Sequence, residues 1–175
     1  IGFNRAVTPG EIAAAAKDGT IEALLAWHPA KPGDLFYLPA GTVHAIGPGL
    51  ALVEVQQTSD TTFRLYDYGR PRELHLDRAL AVAAGVPHAS EHRRTIAAGT
   101  VLVDGPHFRL DRIEGAPDAA TAAAYSGALL ALPLAGTVCA KDGSAQAHAG
   151  DCLVASAIGA LDFSRAEITL LTRAA

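Results

Sequence analysis

Hydrophobic and polar positions follow two rhythms along this chain. The first stretch ends a strand over Ile1–Val7 and then turns helical. Thr8-Pro9-Gly10-Glu11 is a helix-start signature: Thr8 can cap, Pro9 suits the first turn, and Glu11 can reach back to the cap. The helix runs through an alanine-rich stretch to Lys17, and Asp18-Gly19 stops it. Thr20 starts a second short helix to about Ala26. From Gly33 the rhythm shortens to period two, which predicts strands. Leu35–Leu38 is a short apolar and aromatic strand. Ala51–Gln57 alternates, with Leu50, Leu52, Glu54 and Gln56 on one face and Ala51, Val53, Val55 and Gln57 on the other. Thr61–Tyr66 is a further strand, broken at Gly69-Arg70-Pro71. Asp77 is placed to cap a helix from Arg78 to Ala84, closed by Gly85-Val86-Pro87.

Ser90–Thr95 is polar and reads as a linker. From Ala97 onward the pattern is wholly β. Strands are expected at Val101–Val103, Phe108–Ile113, Ala128–Leu134, Thr137–Ala140, Asp151–Ala155 and Ile168–Thr172. Asp104-Gly105 and Asp142-Gly143 are hairpin turn signals, and Ala116–Ala124 reads as a loop. A weak internal repeat links the two parts. Gly150-Asp151 followed by CLVASA echoes Gly33-Asp34 followed by LFYLPA. The second copy carries Leu161 where the first carries His44.

The chain's chemistry concentrates in Gly33–Gly47, GDLFYLPAGTVHAIG. A Gly-Asp turn leads into a strand. Pro39 and Gly41 then bend the chain and deliver His44 at the mouth of a β-structure, where an imidazole is well placed to bind a metal. The spacing G-(x5)-P-x-G-x-x-H resembles the second motif of the cupin superfamily. The longer stretch Gly33–Leu80, with PAGTVHAIG, VEVQQTSDTTFRLYDYGR and PRELHLDRAL, resembles the carboxy-terminal half of the type I mannose-6-phosphate isomerase family. That resemblance covers roughly residues 1–85 and is weak beyond.

The resemblance implies a mostly β fold: a cupin-like jelly-roll barrel with short helical insertions over residues 1–88. A second, degenerate cupin-like domain follows over 96–175. It implies that His44 ligates a divalent metal, zinc in first place, and that the other ligands precede Ile1. A chain that begins with Ile1 and contains no methionine itself reads as part of a longer polypeptide. Glu54 matches a glutamate near the metal and is the candidate acid/base. Arg64 matches a catalytic arginine that stabilises negative charge on substrate oxygens. Arg72 and Gln56 are the candidate substrate contacts.

Each of these residues also has a plainer reading. Glu54 among apolar neighbours is costly to bury unpaired and suits a wet strand edge equally. Arg64, between Phe63 and Leu65, needs a partner, for which Asp60 or Asp67 serves. Arg70, Arg72 and His75 either neutralise a sugar phosphate or are solvated loop charges. His28, His88, His92, His107 and His148 show no ligand spacing.

Composition narrows the classes. Half of the 175 residues are hydrophobic and 18% charged, which suits a globular core, and the net charge of −4 argues against a nucleic-acid partner. No run of about 18 apolar residues and no signal peptide is present, so neither a membrane span nor export is expected. Cys139 and Cys152 read as small buried thiols in a reducing, cytoplasmic setting, with no disulfide required. No G-x-S-x-G, phosphate-binding glycine loop or dinucleotide fingerprint occurs. The function expected is metal-dependent interconversion of mannose 6-phosphate and fructose 6-phosphate, with a phosphorylated hexose as the partner. The alternatives are a non-catalytic sugar-binding or regulatory cupin and a cupin enzyme of another class, such as a dioxygenase. Oligomeric state is not read from the sequence.

Overall fold

The computed structural model describes residues 1–59, 61–96 and 100–175. The chain divides into two compact units: Ile1–Val53 with Ser59–Thr95, and Glu54–Thr58 with Ile96–Ala175. The architecture is mostly β with short helices, as the pattern predicts.

In the first unit, helix α1 (Pro9–Asp18) begins at the expected capping box. The Thr8 amide donates to Glu11 Oε2 at 2.8 Å, and the Glu11 amide donates back to Thr8 Oγ1 at 3.2 Å. With Arg5 paired to the same carboxylate at 2.8 Å, Glu11 is held down to about 2, the Thr8 amide being the main cause. Helix α2 (Ile21–Leu24) follows. Ile12, Ala15 and Ala16 of α1 pack with Phe3, Val7 and Ile21 into the core of this unit. The Ile1–Val7 arm is tied down by single bridges, Phe3 to Leu25 and Gly2 to Pro87.

Three expectations fail in this unit. The segment Ser90–Thr95 is not a linker. Strand β1 (Asp34–Phe36) pairs antiparallel with β2 (Arg93–Thr95), and Asp34 lies opposite Thr95. The polar composition of β2 suits an edge strand, which charged residues commonly mark. Asp77 is not a cap: helix α3 (Leu76–Val82) starts two residues earlier than expected, with His75 at the cap position. Asp77 sits in the first turn, where a negative charge favours the helix dipole. Finally, neither Ala51–Gln57 nor Thr61–Tyr66 forms a strand. Alternation reports that a segment fits a pleated surface; a strand also needs a neighbour to exchange hydrogen bonds with.

The second unit is one antiparallel sheet. Strands β3 (Thr100–Asp104), β4 (Phe108–Glu114), β5 (Leu129–Ala140), β6 (Gln146–His148), β7 (Leu153–Ala155) and β8 (Leu161–Ala174) assemble in the order β3-β4-β8-β5-β6, with β7 also on β5. Both predicted hairpin turns form: Gly105 donates to Phe108 O at 3.1 Å and Gly143 to Ala140 O at 3.0 Å. The break expected between Leu134 and Thr137 is an irregularity within a single strand. The register of β5 against β8 shifts around Pro133, Ala135 and Gly136. Residues 116–124 are not all loop, because Asp118 caps helix α4 (Ala119–Ala124) by accepting from the Thr121 amide.

The core of this sheet gathers Tyr125, Val138, Phe163 and Leu171. The buried Tyr125 hydroxyl donates to Leu171 O at 2.8 Å, and burial pushes its pKa upward. Asp111 is buried and satisfied by Arg109 at 2.7 Å. Both cysteines are free. Cys152 is exposed rather than buried, because it lies in the turn ahead of β7 and outside any ladder.

Candidate active site

The Gly33–His44 segment builds its site in two steps. Gly33 takes a left-handed φ of 89°, a conformation glycine adopts without a steric penalty. The turn is closed by Asp34, whose amide donates to Lys31 O at 3.1 Å while its Oδ2 accepts from the Lys31 amide at 2.8 Å. The other oxygen accepts from Thr95 Oγ1 at 2.9 Å. These bonds, the Lys31 amide first, hold the Asp34 carboxyl below its ordinary range.

The second step is the Pro39–Thr42 bend. Thr42 donates to Pro39 O through its amide at 3.1 Å and its hydroxyl at 2.7 Å. Gly41 has φ 84°, and a Cβ there would lie 2.4 Å from Val82 O. No larger residue fits against the end of α3. The Ala84 amide donates to Gly41 O at 2.9 Å, which pins the bend to that helix end. His44 follows, with Nδ1 2.9 Å from Thr42 O. A carbonyl can only accept, so Nδ1 carries a proton, and in the neutral ring the lone pair is on Nε2. The ring is exposed. This tautomer, fixed by a backbone carbonyl, is the arrangement metal-binding histidines use.

Arg64 is held by neutral groups. Its amide donates to His75 Nδ1 at 3.2 Å, its carbonyl accepts from the His75 amide at 2.8 Å, and Nη1 donates to Glu73 O at 3.1 Å. The Phe63 ring stands edge-on to His75 at 6.1 Å. No described carboxylate forms an ion pair with Arg64. Asp67 serves other arginines, and Asp60 lies outside the described residues.

Asp67, which the sequence offered only as a plain partner for Arg64, is the buried centre of an arginine pair. It is 3% exposed. Arg72 grips it through Nε and Nη2, and Arg70 adds a contact at 2.6 Å. The Arg72 hydrogen bond, ahead of the other contributions, keeps Asp67 well below the usual carboxylate range. Two guanidinium groups on one carboxylate leave a net charge of about +1 by formal count. The signal in the sequence was D-Y-G-R-P-R: one acid, a tight turn, and two arginines within reach of it. Arg72 is therefore committed to a structural partner, and any phosphate would meet the residual charge of the whole trio.

Glu54 and Gln56 are exposed on the stretch 54–58, which groups with the second unit. Among the described residues no cluster of three or more His, Cys, Asp and Glu is arranged to hold a metal ion. His44 thus fits the chemistry of one ligand, and the described residues do not supply a set.

No protein-family model matches the chain. Among curated proteins it is similar to the mannose-6-phosphate isomerase ManA of Bacillus subtilis, 47% identical over 85 residues, which cover 45% of this chain and 27% of that protein. The mannose-6-phosphate isomerase of Streptococcus mutans is 42% identical over 100 residues, 51% of this chain and 32% of that one. The crystal structure of the Bacillus subtilis mannose-6-phosphate isomerase superposes with a TM-score of 0.67 at 26% identity, over 98% of this chain and 58% of that chain. The chain resembles mannose-6-phosphate isomerases. Its mostly β architecture is shared with the solved isomerase along almost its whole length. It spans roughly a quarter to a third of the two curated isomerases and 58% of the solved one.

Proposed function

We propose that this chain is part of a metal-dependent aldose–ketose isomerase that interconverts mannose 6-phosphate and fructose 6-phosphate. The observation that carries the reading is the similarity to mannose-6-phosphate isomerases, 47% identical over 85 residues in one case. The proposed division of labour is a metal-binding part over residues 1–88 and a degenerate second domain over 96–175.

In the reaction a proton moves between adjacent carbons of the sugar through an enediol. Glu54, exposed and free to exchange protons with substrate, is the proposed acid/base. Arg64 is the proposed electrostatic stabiliser. Its guanidinium is oriented by a carbonyl and not neutralised by a described carboxylate, so its charge remains available to an oxyanion. The Arg70–Asp67–Arg72 trio offers net positive charge to the substrate phosphate, and Gln56 offers an amide to a sugar hydroxyl. His44 would ligate the metal through Nε2. A bound zinc would polarise the substrate's carbonyl oxygen. No helix among the described residues is long and apolar enough to cross a membrane. A cytoplasmic location is proposed on the strength of two unpaired thiols and a phosphorylated substrate.

The test is a coupled isomerase assay on this chain and on any longer natural form, with metal content measured alongside. Arg64→Ala should lower kcat by about 10²–10³-fold with metal content unchanged, and His44→Ala should lose metal. Wild-type kcat in Arg64→Ala would remove the assignment of Arg64. Absence of turnover in every form would remove the isomerase reading.

A further inference from the structure

Helix α3 is tied at both ends to parts of the proposed site, and all the residues involved belong to the first unit. At its start the His75 amide donates to Arg64 O at 2.8 Å, and the Arg64 amide donates back to His75 Nδ1 at 3.2 Å. The Arg64 guanidinium reaches the same place, with Nη1 donating to Glu73 O at 3.1 Å. At the far end the Ala84 amide donates to Gly41 O at 2.9 Å, in the bend that delivers His44. The seven-residue helix between these ties is about 10 Å long.

His75 holds the cap position, where serine, threonine, aspartate or asparagine supplies the usual side-chain bond to a helix. Its imidazole makes no such bond. The ring is turned to Arg64 instead, and Phe63 packs edge-on against it at 6.1 Å. An amide can only donate, so Nδ1 is the unprotonated nitrogen and Nε2 carries the proton. Nε2 lies 3.9 Å from Glu73 Oε2, a neighbour suited to that proton. A side chain that forgoes capping to hold the backbone of an arginine serves the arginine and not the helix.

We propose that His75 is a positioning residue: it locks Arg64 to one end of α3 while the bend that carries His44 is locked to the other, so the helix sets the guanidinium relative to the proposed metal ligand. This role deepens the isomerase reading and rests on it. An electrostatic stabiliser works only when its donors are aimed at the place where charge develops. A displacement of about 1 Å costs about 10²-fold in rate. His75 therefore acts through Arg64, without contact with the substrate.

Amide hydrogen exchange on this chain and isomerase kinetics on the form that turns over test the role together. In His75→Ala the Arg64 amide should exchange at least about ten-fold faster, with exchange in α1 and β8 unchanged as the control for folding. The same variant should lose about 10–10²-fold in kcat with KM within about three-fold, the pattern of an interaction made in the transition state. His75→Asn, whose side-chain oxygen can accept from the Arg64 amide and suits a cap, should recover most of both losses. In an Arg64→Ala background His75→Ala should cost nothing further, because its effect passes through the arginine. Wild-type kcat in His75→Ala, or a loss confined to KM, overturns the proposal. So does a further loss on top of Arg64→Ala, or a folded His75→Asn protein as slow as His75→Ala. The exchange arm needs no turnover and separates the two readings. Faster exchange at Arg64 with no turnover in any form removes the isomerase and keeps the clamp; turnover with unchanged exchange at Arg64 removes the clamp and keeps the isomerase.

Discussion

Lys31–His44 and His148–Leu161 begin as the same object. Each has a left-handed glycine, Gly33 at φ 89° and Gly150 at φ 92°. In each, the next aspartate donates its amide to the carbonyl three residues back, Asp34 to Lys31 and Asp151 to His148. Each carboxylate accepts from the amide of that same residue, at 2.8 and 2.9 Å. A three-residue strand follows in both. Then they diverge. The first copy bends through Pro39 and Gly41 and presents His44 to solvent. The second passes through a short 3-10 turn at Ile158–Ala160 and places Leu161, 3% exposed, in the core. The turn is thus a delivery device whose cargo is set by the residue at its end: the polar His44 is delivered to solvent and the apolar Leu161 to the core.

The sharpest break in that comparison is stability at the two ends. Leu161→Ala should cost about 2–5 kcal/mol, the range for a buried leucine. His44→Ala should stay within about 0.5 kcal/mol, as surface changes do. Urea melts of both variants check this, and equal losses would erase the distinction. Next come the shared glycines. Gly33→Ala and Gly150→Ala should each cost about 1–2 kcal/mol, from the left-handed backbone. An added Cβ meets nothing within 4 Å at Gly150 and only Thr95 Cγ2 at 4.0 Å in Gly33. Matched losses support one turn used twice, and a large imbalance separates the copies.

Smaller effects distinguish the first copy. The folded Asp34 carboxyl is held below its unfolded value. Its contribution is therefore fully present above the ordinary carboxylate pKa of about 4 and is lost as pH falls through the lowered folded value. Asp34→Asn should flatten that acid-side slope of melting temperature against pH. The smallest change expected is Thr95→Val, about 0.5 kcal/mol for one exposed hydroxyl bond. It should also move the Asp34 titration, followed by NMR, upward toward the ordinary value.

How much of this was legible beforehand depended on whether the information was local. The capping box at Thr8 and Glu11, the Asp104-Gly105 and Asp142-Gly143 turns, and the bend before His44 all rest on residues within a few positions of each other. All three formed. The failures were partner questions. Ser90–Thr95 looked like a linker because its neighbour, Asp34–Phe36, lies far away in sequence. Ala51–Gln57 looked like a strand because periodicity says nothing about a neighbour's presence. The same limit hid Asp67: its acidity was visible, but its burial under Arg70 and Arg72 is a tertiary fact. Asp77, in turn, lost the cap position to His75, two residues earlier, a boundary that pattern alone rarely resolves.

The tied start of α1 has a bearing on how the chain meets acid. Ordinary carboxylates discharge near pH 4, yet Glu11 keeps its proton off until about pH 2. The stability that the capping box adds is therefore fully present above about pH 4 and is lost as the pH falls toward about 2. Removing the carboxylate with Glu11→Gln moves the weakening of the first turn from the acid end of the scale to every pH.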